Sequence, residues 1–295
     1  TLSAESNLFN NTMVGAYNIY SEWMDVDGVL VHRVHMPGGK EYMQFLARLY
    51  GEQLLDPDFP INKSVNTDEK FSSGKAATMS LRFTGAETVY PALRENVPGA
   101  EGIVIQPLYG PNGEHGMQAS VSLNYTISIP KTSKNPEHAM IYMNEKLKAE
   151  NFTHIAVGYE GETFTLENGK YMPIMPAFTE RRNTSYWYLT GTREEEYSEM
   201  WLARLRRQPD VGNHYDDQTL RIDEFYREDP VGYKPPLESF NKYEQSVNTL
   251  IADNLIKFVT GTQSFDQYDD FLKAVDSAGL AEMTAEVNEW YATQK

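Results

Sequence analysis

Glu160 and Glu162 flank Gly161 in the segment YEGETF, which begins at Tyr159 and ends at Phe164. Two carboxyl groups about 5–10 Å apart are the minimum machinery for cleaving a glycosidic bond, one as acid and the other as base or nucleophile. The same grouping also serves binding without chemistry. A sugar lays its flat C–H faces on aromatic rings and offers its hydroxyls to carboxylates, guanidinium groups and amides. Acidic residues number 42 in a chain of 295, so Glu-x-Glu pairs arise readily by chance. The aromatic interleaving is the stronger signal, and it favours binding over catalysis.

Other chemistries lack their parts. SSGKA at 72–76 misses both the leading Gly and the Ser/Thr of a phosphate-binding loop, and neither GxGxxG nor GxSxG occurs. His32 and His35 stand three apart in an expected strand, which points them to opposite faces, and there is no HExxH pair. The chain has no Cys, which excludes disulfides, thiolate metal sites and Cys nucleophiles. DVDG at 25–28 begins like a calcium loop but lacks the later ligands, so it reads as a turn. No cofactor and no metal are expected.

The formal charge of −16 repels a phosphate backbone, which argues against nucleic acid and anionic membrane surfaces as partners. No run of about 18 apolar residues is present, and TLSAESNLFNNT carries neither the basic nor the apolar region of a signal peptide. A hydrophobic share of 40 % and nineteen Tyr suffice for folded cores, and the length suits about two domains.

These residues need elements to hold them. EWMDVDGVLVHRV reads as a hairpin turning at Asp27-Gly28, and Tyr42, Phe45, Leu46, Leu49 and Tyr50 have helical spacing. Strands are expected over 76–83, 101–108, 121–129 and 153–158. Thr84 stands three residues before Glu87, a capping-box spacing that starts a helix through Leu93. Arg82 and Thr84 thus sit at a strand-to-helix junction, where open α/β sheets bind ligands. Asn135-Pro136-Glu137 opens a helix to about Leu147. Residues 171–191 read as a connection. Thr192 and Glu195 cap a helix whose Arg204, Arg206 and Arg207 complement its dipole. Residues 208–243 read as irregular, and helices starting near Val247, Tyr268 and Met283 close the chain, with Gly261 and Gly279 as stops. Trp201 and Trp290 lie on apolar helix faces and are expected in cores; Trp187, in SYWY, is open to either role.

Five segments, taken in order, resemble one family: KEYMQFLARLYGEQLLDPDF (40–59), EKFSSGKAATM (69–79), ISIPKTSKNPEHAMIYMNEKL (127–147), GYEGETFTLENGKYMPI (158–174) and the closing stretch 250–291. The family is that of the extracellular solute-binding proteins of bacterial ABC importers, in the carbohydrate-binding, family 1-type group typified by lipoproteins of Gram-positive bacteria. The resemblance implies an α/β fold like the type II periplasmic binding proteins, with two hinged lobes that close on a sugar. It implies that the N-terminal part of the first lobe lies outside this sequence. Residues 1–105 and 185–295 would form the second lobe, and 106–184 the rest of the first lobe with the hinge crossings.

Carried over residue by residue, the SGKAAM-like segment puts Arg82 and Thr84 at the ligand edge of the second lobe. The GxEGxxF pattern corresponds to Gly158, Glu160, Gly161 and Phe164, with Tyr159 at its variable position, all facing the ligand. Trp187 and Tyr243 are added as an aromatic platform. The expected function is capture of a sugar or oligosaccharide and its delivery to a membrane permease, without catalysis, by a monomer. The expected location is extracellular, as a lipoprotein whose anchoring Cys is not in this chain. The alternatives are a glycan-cleaving enzyme using Glu160 and Glu162, and a ligand-free cell-surface binding or scaffold domain.

Overall fold

The computed structural model describes residues 9, 13–119 and 126–294. Over these residues the chain forms two compact units, one of Thr1–Leu81, Val89–Ser122 and Leu220–Lys295, the other of Arg82–Thr88 and Leu123–Thr219.

In the first unit Asp27 and Gly28 both take positive φ, 50° and 87°. That mirror-image turn matches the twist of the antiparallel strands it joins, Trp23–Val26 and Val29–His32. Asp25 accepts the Gly28 N–H at 2.6 Å, so DVDG is a turn, as its sequence indicates. Trp23 and Leu30 are fully buried. Asn288 finishes the hairpin: its side-chain carbonyl accepts the Leu30 N–H at 2.7 Å and its amide donates to the Leu30 carbonyl at 2.9 Å. Asn288→Leu should cost about 1–3 kcal/mol, because two buried backbone groups lose their partners. The midpoint of chemical denaturation reads this directly, and an unmoved midpoint would contradict it.

The helix Pro37–Gly51 begins with Pro at its first position; of the apolar face expected from spacing it buries Tyr42 and Leu46, together with Met43, while Phe45, Leu49 and Tyr50 are partly buried. It packs on the helix Glu238–Thr260, which Gly261 ends at φ 74°. Phe258 of that helix meets Phe265, Tyr268 and Phe271 at 5.1–5.5 Å between ring centroids. The last helices are Tyr268–Val275 and Ala281–Ala292, and Trp290 packs against this core.

Between these elements the Lys70 ammonium donates to both Asp56 oxygens (3.0 and 2.7 Å), to Asp58 (3.0 Å) and to the Asn62 side-chain carbonyl (3.2 Å). Burial pushes the Asp56 carboxyl up, but bonds from Lys70, Asn62 and the Asp58 N–H outweigh it and hold the group below the ordinary aspartate value. Folded Asp56 therefore takes up a proton less readily than unfolded Asp56. Its stabilisation is complete above the unfolded value of about 3.9 and is lost as pH falls through the lower folded one. The stability gap between the native chain and Asp56→Asn should shrink from pH 7 to pH 3; a constant gap would contradict this.

The second unit is mainly helical: Pro136–Leu147, Ala149–Ala156, Ala177–Arg182, Glu194–Arg206 and Pro209–Thr219. A hairpin of Phe164–Glu167 with Lys170–Pro173 turns at Asn168 and Gly169, both at positive φ. Phe152, Ala156, Val157, Phe164, Phe178, Met200 and Ala203 form its core. Phe83 meets Trp201 and Tyr215 edge-on at 6.0 and 5.3 Å.

Several sequence expectations need correction. Residues 153–158 are not a strand: Thr153–Ala156 close the helix Ala149–Ala156, because Phe152, Ile155 and Ala156 have helical spacing and a short apolar run does not by itself distinguish the two states. No strand forms over 76–83 or 101–108; alternation in the first and a short apolar run in the second show that a segment suits a sheet, but not that a partner strand is present. Of the expected strand 121–129, residues 121–125 lie outside the described residues and the rest form no strand. Residues 208–243 are irregular only in part: Pro209 serves as a helix start rather than a breaker, giving Pro209–Thr219, and Ile222–Phe225 and the start of Glu238–Thr260 are also helical, whereas 228–237 form neither helix nor strand. The helix expected to be capped by Thr192 starts after Arg193, whose side chain pairs with Glu196 at 2.7 Å.

Candidate functional site

The helix Ala149–Ala156 delivers the chain to Gly158, which takes φ 94°. Thr163, fully buried, then pins the loop that follows. Its hydroxyl donates to the Val157 carbonyl at 2.7 Å and accepts the Tyr159 N–H at 3.0 Å, and its backbone N–H bonds the Tyr159 carbonyl at 3.0 Å. Gly161, at φ 78°, donates to the Phe164 carbonyl at 2.8 Å, and the Thr163 carbonyl accepts from Ile174 at 2.8 Å. The two left-handed glycines and one internal hydroxyl thus make a tight loop out of GYEGET.

This geometry sorts the aromatic residues. Phe164 turns inward, 5 % exposed, with its ring 4.9 Å from Tyr171. Tyr159 turns outward, 48 % exposed, and rests on the His154 ring at 4.1 Å and 32°. A ring backed on one face and open on the other is suited to stacking on a ligand. Glu160 is exposed with no hydrogen-bond or ion-pair partner among the described residues, and its charge is felt at the Tyr171 hydroxyl. Glu162 forms an exposed ion pair with Arg181 at 3.2 Å.

A second aromatic group is anchored on the same helix end. The Ser185 hydroxyl bonds the carbonyls of Ala156 (3.2 Å) and Arg182 (2.9 Å), and it accepts from Arg204 at 2.7 Å. Arg204 is nearly buried; its guanidinium also donates to the carbonyls of Arg182 (2.8 Å) and Asn183 and lies 4.7 Å from the Tyr186 ring. The turn Ser185–Tyr188 so held presents Trp187, 62 % exposed, its ring 4.7 Å from that of Tyr186 and tilted by 34°. Loop 158–163 and this turn are therefore fixed to adjacent carbonyls, Val157 and Ala156.

The remaining sequence candidates are placed elsewhere. Arg82 and Thr84, both exposed, sit at the turn Phe83–Gly85, which Phe83 ties to Trp201 and Tyr215. Among the described residues no hydrogen bond or ring contact joins Arg82 or Thr84 to Tyr159. Tyr243 belongs to the first unit. Its ring lies where a Cβ on Gly279 would meet it at 2.3 Å, and its hydroxyl donates to Glu282 at 3.1 Å, so it packs a helix junction. Tyr186 and Arg204 were not among the site residues expected from the sequence, where Arg204 read only as a cation at a helix end, although the run SYWY signalled the first. His35 bonds Asp276 at 2.9 Å, and among the described residues no three His, Asp or Glu side chains gather as a metal site.

No family model matches the chain. A protein described as "Uncharacterized protein in butB 5'region" of Niallia circulans is 33 % identical over 255 residues, covering 86 % of this chain and all of that protein. The chain belongs to the same family. Lipoprotein LipO of Bacillus subtilis is 24 % identical over 277 residues, 87 % of this chain and 52 % of LipO. Among solved structures, the alginate-binding protein AlgQ2 superposes with a TM-score of 0.59 at 17 % identity, over 96 % of this chain and 63 % of its own. A human-milk-oligosaccharide (HMO)-binding, ABC-transporter-associated protein of Bifidobacterium longum infantis gives 0.59 at 15 %, over 98 % and 61 %. FusA of S. pneumoniae, in complex with kestose, gives 0.58 at 16 %, over 97 % and 60 %. The chain thus spans about half of LipO and about three-fifths of these structures. Its fold is the α/β fold that these solute-binding proteins share, the fold that the ordered segments led us to expect.

Proposed function

We propose that the protein is the substrate-binding component of an ABC importer, capturing a sugar or oligosaccharide outside the cell as a surface-anchored lipoprotein. The observation that carries this reading is the locked loop 158–163, which holds the Tyr159 ring half exposed and backed by His154. It is supported by a fold shared with proteins whose names state alginate, milk-oligosaccharide and kestose binding, and by a lipoprotein relative. Tyr159, Glu160 and Trp187 are assigned to ligand contact, and Arg82 and Thr84 to a separate edge. Phe164 and Tyr243 act through packing. In the whole protein, ligand contacts would bias an open–closed equilibrium that a permease senses.

Tyr159→Ala should weaken binding about tenfold or more, the cost of truncating an aromatic anchor. Titration calorimetry with the oligosaccharide that binds best checks it, and unchanged affinity would remove Tyr159 from the site. The enzymatic alternative draws little from the geometry. A general acid needs a carboxyl kept protonated by its surroundings, whereas Glu160 and Glu162 are both exposed and Glu162 is paired with Arg181. Release of reducing ends, abolished by Glu160→Gln, would favour the enzyme instead.

A further inference from the structure

The imidazole of His32, 2 % exposed, ends the strand Val29–His32, and both of its nitrogens face groups of the first unit. Nδ1 accepts the Val34 N–H at 3.3 Å. A ring nitrogen accepts only while it carries no proton, so this bond fixes the neutral tautomer with its hydrogen on Nε2. Nε2 faces a Glu22 carboxylate oxygen at 3.5 Å, longer than an ordinary hydrogen bond, and both atoms are buried. The Val34 bond starts the short turn Arg33–His35, which joins the hairpin to the helix Pro37–Gly51. That turn is built into the core. Val34 is fully buried, its carbonyl accepts the Tyr268 hydroxyl at 2.9 Å, and the Arg33 N–H donates to the Glu22 carbonyl at 2.9 Å.

A second proton on His32 would go to Nδ1 and meet the Val34 N–H, leaving two buried donors and no acceptor. The new charge would also stand near Arg33, which is buried with its guanidinium 4.9 Å from the Phe9 ring. Three further charges bear on the pair. Glu22 favours a charged ring, His35, bonded to Asp276 at 2.9 Å, opposes one, and Lys234, its ammonium 4.4 Å from the Phe240 ring, favours the charged form of Glu22. Trp23 closes the site without charge, edge-on to His32 at 5.1 Å and 5.7 Å from Phe240. Burial outweighs Glu22 and holds His32 below the ordinary histidine value.

We infer that His32 is an acid-sensitive latch: protonation at Nδ1 breaks the Val34 bond and opens the turn that holds the helix Pro37–Gly51 to the hairpin. The closed turn requires a neutral ring, whereas the open turn returns the ring to its ordinary value of about 6.5, so opening takes up a proton as pH falls below that value. The opening equilibrium should rise by up to about tenfold per pH unit until the closed form is itself protonated.

Two measurements on the full native chain test this. Nitrogen NMR of the histidine side chains at about pH 7.5 should place the His32 proton on Nε2 alone; a proton on Nδ1 would overturn the latch. Hydrogen exchange followed from about pH 7.5 to about pH 5 should show Val34 losing protection by about tenfold or more, once the intrinsic pH dependence of exchange is divided out. Amides of the helix Glu238–Thr260 should lose far less over the same range. No loss at Val34, or equal loss across the first unit, would contradict a local latch. His32→Asn then separates the proton from the cap, because an Asn side-chain oxygen accepts the same backbone N–H and takes up no proton in this range. The variant should keep Val34 protected down to about pH 5. Acid-dependent loss at Val34 that persists in His32→Asn would assign the response to another group and overturn the inference.

Discussion

Arg204→Met should destabilise the second unit by about 3–5 kcal/mol, the scale for removing one partner from a buried, hydrogen-bonded charge site. The side chain is 9 % exposed, and its guanidinium serves the carbonyls of Arg182 and Asn183, the Ser185 hydroxyl and the face of Tyr186 together. Methionine fills the stem's volume and satisfies none of these groups. The loss should be concentrated where the contacts are. Hydrogen exchange of amides 182–188 should accelerate far more than that of the helix Glu238–Thr260, which lies in the other unit. Lys at 204 should recover only part of the loss, because an ammonium lacks the planar fork that reaches several acceptors and stacks on a ring. Uniform destabilisation of the whole chain, or full rescue by Lys, would contradict this assignment.

Gly158→Ala should cost about 2–4 kcal/mol, combining left-handed backbone strain with loss of a buried hydrogen bond. At φ 94° an L side chain is strained before any neighbour is counted, and the new Cβ would stand 2.2 Å from the Thr163 hydroxyl oxygen. That hydroxyl cannot yield without giving up the Val157 carbonyl and the Tyr159 N–H, so the loop should loosen and Tyr159 should leave its seat on His154. Faster hydrogen exchange at Tyr159 and Thr163 is the readout, accompanied by weaker ligand binding. Gly161→Ala offers a control, because a Cβ there meets nothing within 4 Å and only the backbone penalty applies. Equal effects from the two substitutions would show that packing against Thr163 does not matter.

The sequence made the hairpin at Asp27-Gly28 and the helix stop at Gly261 readable, because each depends on a residue that tolerates positive φ where the chain must reverse or end. Long helices were readable for a related reason: Val247, Ile251, Leu255 and Phe258 recur at the helical period and meet one core. Strands were read less well. The apolar run Ile103–Ile105 suggested a strand, yet Ile103 and Ile105 are 78 % and 58 % exposed here, since pairing depends on a second segment that residue type does not name.

At the candidate site, YEGETF stood out by residue type, but type does not tell an outward ring from an inward one. The distinction between Tyr159 and Phe164 comes from Gly158 and Gly161 turning the chain and from Thr163 pinning it. Arg204 shows the opposite error. It read as one of several cations complementing a helix dipole, whereas its burial against the Ser185 turn makes it the residue that holds Tyr186 and Trp187 in place.

Binding itself is the most direct measurement. Isothermal titration of the full chain with a panel of neutral and acidic oligosaccharides should give saturable heat at one ligand per chain for at least one sugar, with no release of reducing ends and with a marked loss of affinity in Tyr159→Ala. Absence of heat and of any thermal shift across the whole panel, or turnover of the sugar, would contradict the protein's reading as a sugar-capturing component of an importer.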